Sequence, residues 1–225
     1  MTTFYDSFAK RKRTKLGSFL VEKTFEKLSK IAAEFSPVKI LEIGIGKGIF
    51  YKHLKKQIPQ MEYIGIEASD TLYEEAKSKD INAIKCFVPP FPQVLEKGSF
   101  DMVIMSHILE HFMNYREVLE VLGEVNNLLK QNGKLLLFYP CATDLGNDFF
   151  DCDYSHSYVT TKNRVDNLLL DSGFRIIKED SYRACFNNFK WFFYILSRLV
   201  SCFAFLNIKM RITFKKNLLA IAEKI

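Results

Sequence analysis

Imidazoles, carboxylates and glycines at close spacing are where this chain of 225 residues is equipped for chemistry. His107 and His111 stand four apart with Glu110 between them, a spacing that puts both rings on one face if a helical turn begins there. Imidazole is the side chain best suited to move a proton near neutral pH. His156 lies in a second polar stretch, Asp153-Tyr154-Ser155-His156-Ser157-Tyr158-Val159-Thr160. These three histidines are the candidate catalytic bases; the competing reading of the first two is that they cap or pack their turn. His53 falls within a helix and is expected at the surface. Glu110 beside two histidines also suggests a metal, but no further ligand pattern supports it and no metal site is expected.

A second constellation is Glu42-Ile43-Gly44-Ile45-Gly46-Lys47-Gly48, placed where an apolar run must turn sharply into a helix. Glycine permits positive φ and lets the backbone approach a ligand closely. The dinucleotide fingerprint needs a small residue where Ile49 stands, and a phosphate loop needs Ser or Thr after its lysine, so neither fits. Glu42, two residues before the first glycine, argues against a pyrophosphate and for a ligand bearing positive charge. Glu67 follows about twenty residues later, where a carboxylate takes both hydroxyls of a ribose. Together these residues outline a site for an adenine nucleoside.

The elements that position them alternate. An amphipathic helix over residues 20–35 leads to strands at 38–43, 63–67 and 83–86, with helices at 48–57 and 71–78 between them. A strand at 101–105, a helix at 115–129 stopped near Gly133, a strand at 135–139, a helix at 161–170, and strands at 174–178 and 218–222 complete the series. Strand and helix in alternation mean a parallel sheet. Before the last strand lies an unusually apolar insert at about 187–208, expected as an amphipathic helix. Its polar stripe is Asn187, Lys190, Tyr194, Ser197, Arg198 and Ser201. Such a helix lies on a membrane surface, covers a greasy acceptor, or packs on the domain or in a homodimer contact.

With 48% apolar and 26% charged residues, the chain suits one globular α/β domain with appendages. The net charge of +6 is concentrated at Lys10, Arg11, Lys12, Arg13 and Lys15, giving a basic arm over 1–18 ahead of a single domain over 19–225. Such an arm is read first as a solvated tail, with anionic lipid or nucleic acid as alternatives, and no DNA or RNA reader motif accompanies it. Five scattered cysteines without a C-x-x-C pair fit a reducing compartment. With no apolar run after the first residues, a secretory signal is not expected, and the body is expected to be cytoplasmic.

Ile40-Leu41-Glu42-Ile43-Gly44-Ile45-Gly46-Lys47-Gly48 resembles the first motif of class I S-adenosylmethionine-dependent methyltransferases. Tyr63-Ile64-Gly65-Ile66-Glu67 resembles their second motif, residues 99–111 the fourth-strand motif and residues 128–137 the fifth, so that the similarity runs from about 38 to 178. The resemblance implies a doubly wound, Rossmann-like, mostly parallel seven-stranded sheet with its last strand antiparallel, and S-adenosyl-L-methionine as cofactor. Carried over by position, Gly44, Gly46 and Gly48 make room for the methionine part, and Glu42 helps hold its ammonium. Glu67 binds the ribose, Ala68 lines the adenine edge, and Ser106 lies beside the methionine or the acceptor. The family often places an acid and a small residue after the third strand, whereas Cys86-Phe87 stand here, leaving adenine to backbone groups and a stacking contact with Phe87. The implied reaction moves a methyl group to an O or N atom of a small-molecule, lipid-precursor or glycan acceptor. A non-catalytic cofactor-fold protein and a nicotinamide oxidoreductase are the alternatives.

Overall fold

The computed structural model describes residues 14–186, 190–202, 208 and 212–225; most of the basic arm lies outside them. The first helix, α1 (Lys15–Ala33), starts four residues before the expected domain boundary, because the Thr14 hydroxyl accepts the Gly17 N–H at 3.0 Å and caps it. Leu20, Thr24, Leu28 and Ala32 recur at helical spacing as its buried face.

Next come β1 (Lys39–Ile43), α2 (Ile49–Gln57), β2 (Glu62–Glu67), α3 (Asp70–Ser78), β3 (Ala83–Lys85) and β4 (Phe100–Ser106). After a 3-10 turn at Leu109–His111 follow α4 (Tyr115–Leu128), β5 (Leu129–Pro140) and two single-turn helices, α5 (Ala142–Leu145) and α6 (Asp148–Asp151). The chain closes with α7 (Lys162–Asp171), β6 (Phe174–Arg183), α8 (Lys190–Cys202) and β7 (Lys216–Lys224).

The strands form one sheet in the order β3-β2-β1-β4-β5-β7-β6. All neighbours are parallel except β7, which runs antiparallel between β5 and β6, as the resemblance implies. Side-chain alternation gives the sheet two apolar faces. Leu41, Ile43, Val103, Met105, Leu135 and Leu137 pack with Val118, Leu122 and Val125 of α4 and Val165 of α7. Ile40, Met102, Ile104, Leu136 and Phe138 pack with Leu28 of α1 and Phe50 and Leu54 of α2.

Two expectations are corrected here. His53 is buried, not at the surface: it lies on the inner side of α2 with Nε2 2.6 Å from Oε2 of Glu22 on α1, a hydrogen-bond partner that makes an inward imidazole tolerable. Among the described residues of the apolar insert a helix runs over Lys190–Cys202, and Asn187 lies outside the described residues. The polar stripe of α8 does not face water as one face. Ser197 is buried against the body, Tyr194 lies over the guanidinium of Arg183 at 5.1 Å, and Arg198 is exposed. Trp191, Phe192, Ile195 and Leu199 are turned outward instead. No helix among the described residues is long and apolar enough to cross a membrane.

Candidate functional site

The strand order reverses between β1 and β4, which lie side by side with Ile43 opposite Met105. Chains leaving the carboxyl ends of these strands depart to opposite sides and open a crevice, the usual ligand position in a doubly wound sheet. The 44–48 loop and the 106–111 segment form its two lips.

On the first lip, Gly44 and Ile45 both donate to the carbonyl of Ile66, folding the loop back over β2. Gly44 has φ +81°, and a Cβ there would fall 2.3 Å from Cδ1 of Ile108, so only glycine lets the two lips meet. Gly46, at φ +57°, has open space where its Cβ would be. Gly48 supplies the left-handed residue ahead of α2.

Glu67 ends β2 almost fully buried. Its Oε2 accepts the Gly46 N–H at 2.8 Å and its Oε1 the Ser69 N–H at 2.9 Å, so the carboxylate is fixed before any ligand arrives. Glu42 is also buried and receives the Tyr63 hydroxyl at 2.6 Å. Burial pushes its carboxyl up to about 8 against the Tyr63 hydrogen bond, with the Glu67 charge adding to the rise. Two carboxyls behind a loop with open backbone suit a cationic nucleoside and oppose a pyrophosphate. S-adenosylmethionine therefore fits the residues present.

Ala68, half-buried, follows Glu67. Cys86 donates its N–H to the Glu67 carbonyl at 3.1 Å, which brings the end of β3 to the same edge; Phe87 beyond it is 61% exposed. Ser106, at the end of β4, has a buried hydroxyl without a partner among the described residues, facing the cost of an unmade hydrogen bond until something supplies one.

The second lip departs from the helical turn expected for its histidines. His107 has φ +56° and the 3-10 turn covers only Leu109–His111, so the two rings do not share a helical face. They flank Glu110 differently. His107 Nδ1 lies 3.0 Å from Oε1 of Glu110, while His111 turns toward His156, with ring centroids 5.1 Å apart. The 153–158 segment is tied there because Ser157 and Tyr158 both donate to the Glu110 carbonyl. Glu110 is 1% exposed. Burial drives its carboxyl up, but the His107 hydrogen bond and the charges of His107 and His111 outweigh this and hold it below its ordinary value. Burial lowers His111 more than Glu110 and Asp153 raise it, so its pKa lies below the ordinary imidazole value. A ring nitrogen of His111, one of His156 and an oxygen of Glu110 all lie within 4.8 Å of one another.

Sequence reasoning missed the hydroxyl of Tyr63 as the partner of Glu42, and the support of His111 by Ser155 and Asp153. It also missed Arg183, which grips Asp144 through Nη1 at 2.8 Å and Nη2 at 2.6 Å and reaches Ser197 of α8. Tyr63 was visible only as a strand residue, and Arg183 lies 39 positions from its partner.

The fold and this crevice define a nucleoside-binding doubly wound domain. A methyltransferase-domain family model matches residues 10–179, and the chain belongs to that family. An uncharacterized methyltransferase of Alkaliphilus oremlandii is 32% identical over 97 residues, 43% of each chain. The malonyl-acyl-carrier protein O-methyltransferase of Legionella pneumophila is 28% identical over 131 residues, 56% of this chain and 42% of its own. The matched region thus spans less than half the length of these relatives. A SAM-dependent methyltransferase from Archaeoglobus fulgidus shares the fold, with a TM-score of 0.64 at 21% identity over 92% of this chain and 99% of that one.

Proposed function

We propose that this chain is an S-adenosylmethionine-dependent methyltransferase that binds its cofactor across the 44–48 loop and Glu67 and its acceptor beside His107, His111 and His156. The observation that carries the reading is the carboxylate of Glu67, buried at the switch point and fixed by the Gly46 N–H. In this reading Glu42 faces the ammonium side, Ala68 and Phe87 the adenine edge, and Ser106 the join between cofactor and acceptor. The bound cofactor supplies a methyl group on a sulfonium, a leaving group that needs no further activation. What remains for the protein is positioning, together with a base where the acceptor is a hydroxyl or a charged amine. His111, whose pKa is lowered first by burial, suits that base.

Labelled methyl transfer into cell extracts, followed by product identification, tests this. A labelled O- or N-methyl product that disappears with His111→Ala or His156→Ala is expected. Cofactor binding with no labelled product would favour a non-catalytic binding protein.

The acceptor is proposed to be greasy or presented at a membrane surface, because α8 turns Trp191 (67% exposed), Phe192, Ile195 and Leu199 outward. The protein is expected to float with anionic liposomes and to lose this when Trp191 and Phe192 become Ser. Wild-type protein left in the soluble fraction would point to a lid or a homodimer contact instead.

A further inference from the structure

We infer that Glu110, His111 and His156 form a binding site for a divalent first-row transition-metal ion, with positions left open for an acceptor oxygen. The inference rests on the reading of this edge as the acceptor side, with His111 serving as ligand in place of base while the ion is bound, and it stands on three separate observations.

The first is convergence. The candidate ligand atoms come from the turn after β4 and from the segment after α6, up to 46 residues apart along the chain, yet lie within 4.8 Å of one another. Three ligands each about 2.1 Å from one ion stand roughly 3.4–3.6 Å apart, so a set lying within 4.8 Å closes by roughly 1.4 Å at most, within reach of side-chain torsions.

The second is the placement of protons. Nδ1 of His156 is 2.6 Å from the carbonyl of Phe149, which only accepts, so that nitrogen carries the proton. Nδ1 of His111 is 2.8 Å from the Ser155 hydroxyl, whose own hydrogen goes to Oδ1 of Asp153 at 2.7 Å. The hydroxyl therefore accepts from His111. In both rings Nε2 is left as the lone-pair atom, and each ring is oriented by a backbone or carboxylate partner, the support that metal-binding imidazoles require.

The third is a buried carboxylate oxygen. Glu110 commits Oε1 to His107, while Oε2 is buried without a hydrogen-bond partner among the described residues. Leaving a carboxylate oxygen unpaired in such a place is costly, and a cation between it and two imidazole lone pairs removes the cost. Two imidazole nitrogens with one carboxylate select Zn2+, Fe2+ or Co2+ over Mg2+ or Ca2+, which prefer all-oxygen sets. Three protein ligands leave at least one coordination position for water or substrate.

Co2+ titrated into the metal-free full-length protein, read by calorimetry and by visible ligand-field absorption, tests the site without cofactor or acceptor. One equivalent should bind with an absorption spectrum of low-symmetry coordination. His156→Ala should weaken binding at least tenfold, and Asp153→Asn, which acts only through Ser155 and His111, should weaken it about 10–100-fold. Glu110→Gln should do the same as His156→Ala; circular dichroism checks that this buried variant folds. No stoichiometric Co2+ or Zn2+ binding, or unchanged affinity in folded His156→Ala, would overturn the site. S-adenosylmethionine binding measured on the same samples separates this failure from failure of the methyltransferase reading.

Discussion

At the scale of residues, the site divides its acids by environment. Glu67 is held by two backbone N–H groups, whereas Glu42 is buried behind one tyrosine hydroxyl and pushed up to about 8. At pH 7 Glu42 therefore keeps its proton in the ligand-free protein. On the proposed assignment a cofactor ammonium favours the ionised form, so binding at pH 7 releases a proton and the release fades as pH rises above 8. Calorimetry in buffers of different ionisation enthalpy measures this; Glu42→Gln should remove the buffer dependence. His111 gives a second prediction. Its pKa is depressed, first by burial, so a base at this position keeps kcat/KM level through the ordinary imidazole range and loses it only at lower pH. His111→Ala should lower transfer by about 10²–10⁴-fold with cofactor affinity retained, and a rate near wild type would make the ring structural. The glycines and Glu67 were legible because their roles depend on local spacing. The union of His111 with His156 was not, because it is made by backbone bonds from Ser157 and Tyr158 to Glu110 across distant sequence.

Among the elements, the alternation of apolar runs located every strand and the longer helices, since each must bury a face at period 2 or 3.6, but not the single turns α5 and α6. Boundaries moved where polar residues stay in a strand. Residues 130–133 read as a helix stop, yet they belong to β5 as a bulge: Phe100 pairs with Leu129 and Met102 with Lys134. The placement of α8 was least legible, because its anchor is Arg183, on a strand that the pattern ended at residue 178. Arg183 and Asp144 are both largely buried and bidentate, and Lys216 adds its N–H to Asp144 at 2.9 Å. Burial raises the Asp144 carboxyl, but the Arg183 hydrogen bond and the Lys216 N–H outweigh it, leaving its pKa depressed. A group lowered in the folded state stabilises above its ordinary value and loses that contribution as pH falls through the folded one. Asp144→Ala should cost about 3–5 kcal/mol in urea unfolding at neutral pH, because a buried guanidinium is left unpaired. The difference from wild type should shrink in acid; a constant difference would show that the ion pair contributes nothing through its charge.

For the molecule as a whole, the reversal of strand order at β1 and β4 brings loop, carboxylates and histidines to one edge of the sheet. Family membership follows from the match over residues 10–179, while the acceptor is chosen by side chains beyond the shared frame. Cofactor choice is where the whole account meets a single number. Calorimetric titration of the wild-type protein and Glu67→Ala with S-adenosylmethionine, and of the wild type with NAD, gives it directly. Hydrogen bonds to a charged group contribute about 1.5–3 kcal/mol each, so losing the carboxylate should weaken S-adenosylmethionine binding by at least about tenfold, and NAD should not bind. Unchanged affinity in Glu67→Ala, or saturable NAD binding to the wild type, would contradict the account.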